Sequence, residues 1–167
     1  ELHRAQGDLA TAVAAYERAL TLGAGDDILT EAVATAHAAA DRARAVRWAN
    51  DLLASGGTAP IALAARAAEM VDDGMLEAAA GLLDAAPWSI EVAIEKSRVA
   101  RAREPGRAGA AAAARVLRAA LERAPDDPRA RSLLSAARAD ELPVPADDGT
   151  APGFLRLAGA LEQALSA

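Results

Sequence analysis

The densest group of basic side chains in the sequence lies in and just after one predicted helix. Its members are Lys96, Arg98, Arg101, Arg103 and Arg107. Arginine binds a carboxylate or a phosphate through two parallel hydrogen bonds, so this group is suited to an acidic peptide terminus. Acidic residues stand close by, at Glu91, Glu95 and Glu104. Their presence favours a second interpretation, a solvated helix face crossed by ion pairs.

Histidines and paired aspartates are the residues that metal or acid–base chemistry would need. His3 and His37 have no second histidine at His-x-x-x-His spacing, so we expect both rings to pack between helices rather than to ligate a metal. Aspartate pairs occur at 26–27, 72–73, 126–127 and 147–148. Each pair precedes a predicted helix or lies in a turn, where an aspartate accepts hydrogen bonds from free backbone N–H groups. We therefore predict no metal and no cofactor.

Motifs for nucleophilic or phosphate chemistry are absent from the sequence. There is no cysteine, no serine stands in a Gly-x-Ser-x-Gly setting, and no glycine run has the spacing of a phosphate-binding loop. The prediction is a protein with no catalytic residues, not an enzyme.

Alanine dominates the apolar content, which is 53 % of the chain, whereas aromatic residues are only 2 %. Alanine is the best helix former and lets helix axes approach closely, which favours a stack of helices. A net charge of −6 argues against direct binding of nucleic acid. No membrane span or signal peptide is recognisable, so we expect a cytoplasmic protein. The chain begins at Glu1, and its alanine- and arginine-rich composition is typical of a high-GC bacterium. We expect a piece of a larger bacterial protein.

Apolar residues recur at helical spacing along nearly the whole chain. We predict eight helices, at about 8–22, 27–40, 42–54, 60–73, 76–86, 89–103, 108–124 and 128–140. A Pro-rich linker over 142–153 follows, and then a last amphipathic helix over 154–167. The short connections predict antiparallel neighbours in an all-α fold.

A period of 33–34 residues underlies these helices. Gly7, Asp41 and Gly74 stand at corresponding predicted turns, and His3, His37 and Met70 each lie four residues earlier. In the first repeat, Ala12-x-x-x-Tyr16 is followed by Ala19-Leu20. The chain thereby resembles the tetratricopeptide repeat (TPR) family over residues 1–141. The resemblance implies a right-handed α-α superhelix, or solenoid, of about four helix pairs plus a C-terminal capping helix.

The TPR resemblance also implies where a partner binds. In that family a peptide or partner protein lies in the concave groove formed by the first helix of each pair. The corresponding polar residues here are Arg4, Glu31, Thr35, Arg66, Glu69, Lys96 and Arg103. Trp48, among polar neighbours, is a possible exposed anchor for a partner, whereas Trp88 is expected to fill the groove between repeats. The family's Lys, Asn and Arg clamp for chaperone tails is missing.

The last predicted helix carries a strong apolar stripe, formed by Phe154, Leu155, Leu157, Ala158, Leu161 and Leu165. A solenoid exposes its final apolar face unless a cap covers it, so we expect this helix to be the cap. The alternative is docking on a partner or on a second copy, forming a homo-oligomer.

The leading hypothesis for function is a protein-interaction module. The alternatives are a sensor or regulatory domain of a multidomain bacterial transcriptional regulator, and an accessory domain attached to an enzyme.

Overall fold

The computed structural model describes the backbone of residues 2–141 and the side chains of residues 8–140. This part of the chain forms eight helices: α1 (Leu2–Thr21), α2 (Asp26–Ala38), α3 (Arg42–Ala54), α4 (Pro60–Asp72), α5 (Leu76–Ala85), α6 (Ile90–Arg103), α7 (Gly106–Arg123) and α8 (Pro128–Glu141). No strand occurs among residues 2–141. The all-α prediction is confirmed. The predicted linker over 142–153 and the last predicted helix lie outside the described residues.

Helix α1 corrects the prediction for the start of the chain. A turn was expected at Gly7-Asp8, but α1 runs through both positions without a break. A glycine inside a helix costs only about 1 kcal/mol relative to alanine, and the good helix formers on both sides offset that cost.

The turns between the first helices recur with the predicted period. In the turn between α2 and α3, Ala40 has a φ of 56°. In the turn between α4 and α5, Gly74 has a φ of 76°. In both turns the next residue donates its N–H to a carbonyl five residues back, Asp41 to Ala36 at 2.9 Å and Met75 to Met70 at 2.8 Å. These are the same left-handed helix-ending motif, 34 positions apart.

The intervening turns repeat in the same way. Gly23, before α2, has φ 88°, and Gly56, before α4, has φ 89°. Their following residues bond back to Ala19 and Leu52 at 3.1 and 2.9 Å. The pattern ends after α5, because Ala86 is extended there (φ −72°, ψ 143°) and Pro87 follows. Four consecutive turns thus share one geometry, and the later ones do not.

The chain divides into two compact units, residues 1–99 and residues 100–167, and the boundary falls within α6. In the first unit, one apolar cluster gathers around Val33, Trp48 and Leu52, and a second around Leu83, Val92 and Val99. Helix α4 serves both, with Ala62 and Ala65 in the first cluster and Ala64 and Ala67 in the second. The buried residues of α4 are all alanines, whose small side chains let the neighbouring helices approach it closely.

In the second unit, α7 packs against α8. Leu117 and several alanines of α7 are buried, and α8 buries Ala130 and Ala137. Gly109 is buried where α7 passes the end of α6, and a Cβ there would lie 2.5 Å from the carbonyl oxygen of Arg101 and closer still to that of Glu104. A glycine is therefore required at this close approach.

Candidate functional site

The groove residues predicted on α2 and α4 lie on helices that contact each other. On α2, the Thr35 hydroxyl donates a hydrogen bond of 2.8 Å to the backbone oxygen of Glu31, one turn earlier. On α4, Arg66 forms an ion pair with Glu69. Glu31 is exposed and Arg66 and Glu69 are half-buried, so charges of both signs reach the surface of this helix pair.

The other predicted groove residues lie on later or earlier elements. The Lys96 Nζ atom is 2.9 Å from Asp84 Oδ1, which joins α6 to α5. Arg103 is exposed in the second unit, at the end of α6. Arg4 belongs to α1, but its side chain lies outside the described residues. Helices α2 and α4, which carry Glu31, Thr35, Arg66 and Glu69, contact each other, whereas Lys96 pairs with Asp84 of α5.

The basic group of α6 is engaged in ion pairs. Arg98 Nη1 donates to Glu95 at 2.7 Å, and Arg98 Nη2 donates to Asp72, at the end of α4, at 3.1 Å. Arg101 pairs with Asp140 on α8. Among these acidic partners, Glu95 was predicted from the sequence. The others, Asp72, Asp84 and Asp140, come from other helices and were not predicted. This arrangement supports the interpretation of α6 as a helix face crossed by ion pairs. Arg98 is already paired, so it is not available to bind an acidic peptide.

A chain of four alternating charges ends at Glu95. Arg42, at the start of α3, pairs with Asp72, which pairs with Arg98, which pairs with Glu95. The Glu95 side chain is only 3 % exposed. Burial raises the pKa of its carboxyl, and the Arg98 charge and hydrogen bond offset only part of that effect. The network ties α3, α4 and α6 together.

Burial of Glu95 was missed from the sequence, although a signal was present. Val92 lies three residues before it and Val99 four residues after it, and both are buried. That spacing defines one helix face, so position 95 falls on the buried side of α6.

Trp48 is a correction. The sequence predicted an exposed anchor, but the residue is 3 % exposed and belongs to the first apolar cluster. It shares the buried face of α3 with Ala45, Ala49 and Leu52, which lie at helical spacing from it. Trp88, which was expected to be covered, lies in the α5–α6 loop and is 43 % exposed. Sequence neighbours were misleading because burial follows the helix face, not the adjacent residues.

A cluster of charged residues lies between α1 and α3. Glu17 on α1 accepts hydrogen bonds from Arg44 at 2.9 Å and Arg47 at 2.7 Å on α3, and Arg44 also pairs with Asp41 at 2.5 Å. These bonds lower the pKa of both Glu17 and Asp41, since the arginines favour the charged carboxylates. Beside this cluster is a groove of about 480 Å³.

His37 lines a smaller cavity of about 310 Å³, together with Arg42 and several alanines of α3 and α4. The ring is half-buried, and the side chain of His3 lies outside the described residues. Among the described side chains, no group of three or more histidine, aspartate or glutamate residues is placed to hold a metal ion.

No protein-family model matches the chain, and no curated protein or solved structure matches it either. None of the helices described between residues 2 and 141 is both long enough and apolar enough to cross a membrane.

Proposed function

We propose that this chain is a TPR-like helical-repeat module that binds a peptide or partner protein without catalysis. The observation that carries the proposal is the recurrence of one turn geometry at Gly23 and Gly56, and again at Ala40 and Gly74. Equal turns at a fixed period make successive helix pairs equivalent, as expected when pairs α2–α3 and α4–α5 stack as solenoid repeats. A stack of that kind functions by presenting an extended surface.

The proposed binding surface is the groove formed by α2 and α4, with Glu31, Thr35, Arg66 and Glu69, and with Lys96 on α6. All five alanines of α4 are buried, and its partly exposed side chains include the charged residues Arg66 and Glu69. A surface of mixed charge suits an extended peptide or a helix better than an enclosed small molecule. The Arg66–Glu69 and Lys96–Asp84 pairs are partly exposed, so exchanging them for charges of a partner costs little.

Charge reversal tests this proposal. Partners are captured on the immobilised protein and quantified by mass spectrometry for the wild type, for Arg66→Glu and for Lys96→Glu. The matched control is Arg118→Glu, which reverses an exposed arginine of α7 outside the proposed groove. We expect the groove variants to lose specific partners that the control retains. Retention of every specific partner by both groove variants would exclude the groove.

A further inference from the structure

Charge is distributed unevenly along this acidic chain. Residues 1–99, the first unit, contain fifteen aspartates and glutamates but only eight lysines and arginines. Residues 100–141, in the second unit, contain nine arginines and six acidic residues. The excess of positive charge therefore lies in the segment that runs from the end of α6 through α7 and α8.

Three arginines of α7 share one face of that helix. Arg115 follows Arg107 by eight residues and Arg118 follows it by eleven, which is close to two and three turns of an α-helix. The three therefore extend over about 16 Å of one face, at a rise of about 1.5 Å per residue. The opposite face of α7 is buried through Ala113 and Leu117. We call Arg107, Arg115 and Arg118 the arginine face.

The arginine face has no acidic partner among the described side chains. All three arginines are exposed, and none forms an ion pair or a side-chain hydrogen bond with a described residue, Glu122 included. Arg115 and Arg118 are three residues apart, a spacing at which like charges destabilise a helix. In the first unit, by contrast, six basic side chains have carboxylate partners: Arg42, Arg44, Arg47, Arg66, Lys96 and Arg98. Positive charge on α7 is thus left for a ligand to neutralise.

Alanines occupy the surface between these arginines. Ala108 and Ala119 are exposed and Ala111 is half-buried. The distance between two packed helices depends on the side chains at their contact, so small residues let another helix approach α7 closely. Arginine is also enriched where proteins bind one another, because its long stem covers apolar surface while its head pairs with a carboxylate.

We propose that the arginine face docks an acidic helix of a partner protein. A helix that runs alongside α7, with carboxylates at positions i, i+8 and i+11, meets Arg107, Arg115 and Arg118 together. Each guanidinium can donate two parallel hydrogen bonds to one carboxylate. This surface lies on α7, whereas the proposed groove uses α2, α4 and α6, so either surface can fail without the other.

The number of arginines favours a protein ligand over a nucleic acid. Binding to nucleic acid through its phosphates commonly uses about six to ten contacts, and this face offers three guanidinium groups. The net charge of −6 on the whole chain also repels a long polyanion. A single acidic helix has enough carboxylates to pair with all three.

Three synthetic peptides test the proposal. Each is a dye-labelled helix built from alanine and glutamine. The first carries glutamates at i, i+8 and i+11, the second has glutamines there, and the third has three glutamates distributed around the helix. Binding to the full chain is measured by fluorescence anisotropy at low salt. We expect saturable binding of the first peptide, about tenfold weaker binding of the second, and binding of the third weaker by about threefold or more. Added salt should weaken binding of the first peptide, because exposed ion pairs are screened.

Variants locate the binding on α7. Arg107→Gln, Arg115→Gln and Arg118→Gln should each weaken binding of the first peptide by about two- to fivefold, the effect of one exposed ion pair. The triple variant should weaken it by about tenfold or more. Glutamine keeps the helix propensity of arginine, so α7 remains intact. The matched control is Arg138→Gln, which removes an exposed arginine of α8 and should leave binding unchanged.

The two proposed surfaces also act as controls for each other. Arg66→Glu and Lys96→Glu, which test the groove, should bind the first peptide as the wild type does. Arg118→Glu, the control for the groove, should lose this peptide while it retains the partners of the groove.

Several results would overturn the assignment. They are no binding of the first peptide, equal binding of the first and second peptides, and unchanged binding by the triple variant. A single-stranded oligonucleotide that binds the wild type more tightly than the first peptide, and fails to bind the triple variant, would assign the arginine face to nucleic acid instead. A wild-type dimer, seen by light scattering, that the triple variant converts to a monomer would assign it to a second copy of the chain.

Discussion

Glu95 is a buried carboxylate whose bonded partner, Arg98, is itself about one-third exposed. Because water is excluded from the carboxyl and the arginine remains partly solvated, the ion pair recovers only part of the cost of burial. The raised pKa expresses that balance. Glu95 therefore belongs to a network that connects α3, α4 and α6, while its own ion pair adds little net stability.

The pH dependence of folding follows from the sign of that pKa shift. The folded state favours neutral Glu95, so its contribution to stability is complete below the unfolded pKa, near 4.5, and is lost as pH rises through the raised folded pKa. Glu95→Gln does not titrate. Its free energy of unfolding, relative to wild type, is expected to increase from pH 4 towards neutral pH and then to level off, in urea titrations at each pH.

The control for Glu95→Gln is Glu122→Gln, which changes an exposed glutamate of α7. Its difference from wild type should vary less with pH. A difference for Glu95→Gln that is constant or falls over the same range would show that burial does not dominate at this carboxyl.

Ala40 is the second residue at which a single side chain matters. Its φ of 56° lies in the left-handed region, where an L residue with a Cβ is strained and where the equivalent position of the next repeat has Gly74. Ala40→Gly is expected to raise the free energy of unfolding by about 1 kcal/mol, measured by urea denaturation. In contrast, Ala78→Gly, at an exposed helical position of α5, should lower it by about 0.5–1 kcal/mol. Destabilisation by Ala40→Gly would show that the turn is not strained.

At the scale of helices, the sequence predicted the elements well because their boundaries depend on local chemistry. Helix α3 occupies the predicted 42–54, where Asp41 accepts a hydrogen bond from the Arg44 N–H and a left-handed glycine follows. The prediction of a turn at Gly7-Asp8 was wrong because a glycine does not by itself end a helix. The faces of α3 and α6 were also misjudged, since the burial of Trp48 and Glu95 depends on which neighbouring helix covers them. Of the candidate site, the contact between the helices that carry Glu31 and Arg66 could be predicted, but the groove between α1 and α3 could not.

Two helical glycines should respond to alanine in opposite ways. Gly109→Ala places a Cβ against the carbonyl oxygens of Arg101 and Glu104, which are backbone atoms that cannot rotate away. We expect a loss of about 2–3 kcal/mol in the free energy of unfolding. Gly81→Ala, in α5, meets nothing within 4 Å and gains helix propensity, so a gain of about 1 kcal/mol is expected. Chemical denaturation of both variants measures the difference, and equal effects would contradict the close approach at Gly109.

At the scale of the whole molecule, the core is built mainly from alanine. The largest fully buried side chains of the described part are Leu52, Leu83, Leu117 and Val33. Each buried alanine removes little apolar area from water, so stability depends on many close helix contacts and not on a few large side chains. If the helix pairs stack as solenoid repeats, as proposed above, each layer is stabilised by the next and an uncovered end lowers stability.

The C-terminal segment beyond the described residues is the place to test that dependence. Its sequence carries the apolar residues Phe154, Leu157, Leu161 and Leu165, and Leu133 of α8 is exposed in the same unit. If the segment caps the repeats, deleting residues 153–167 uncovers apolar surface. We expect a lower midpoint of thermal unfolding and a higher mass by light scattering, from self-association. The matched control is Gln163→Ala, which changes one polar residue of the segment.

Each other outcome of that deletion has a definite meaning. A monomer of unchanged stability would exclude the cap, because no apolar surface would have been covered by the segment. A wild-type dimer that becomes a stable monomer on deletion would assign the same leucines to contacts between two copies. The two results separate because a cap acts within one chain and its loss increases association, whereas an oligomerisation helix acts between chains and its loss abolishes association.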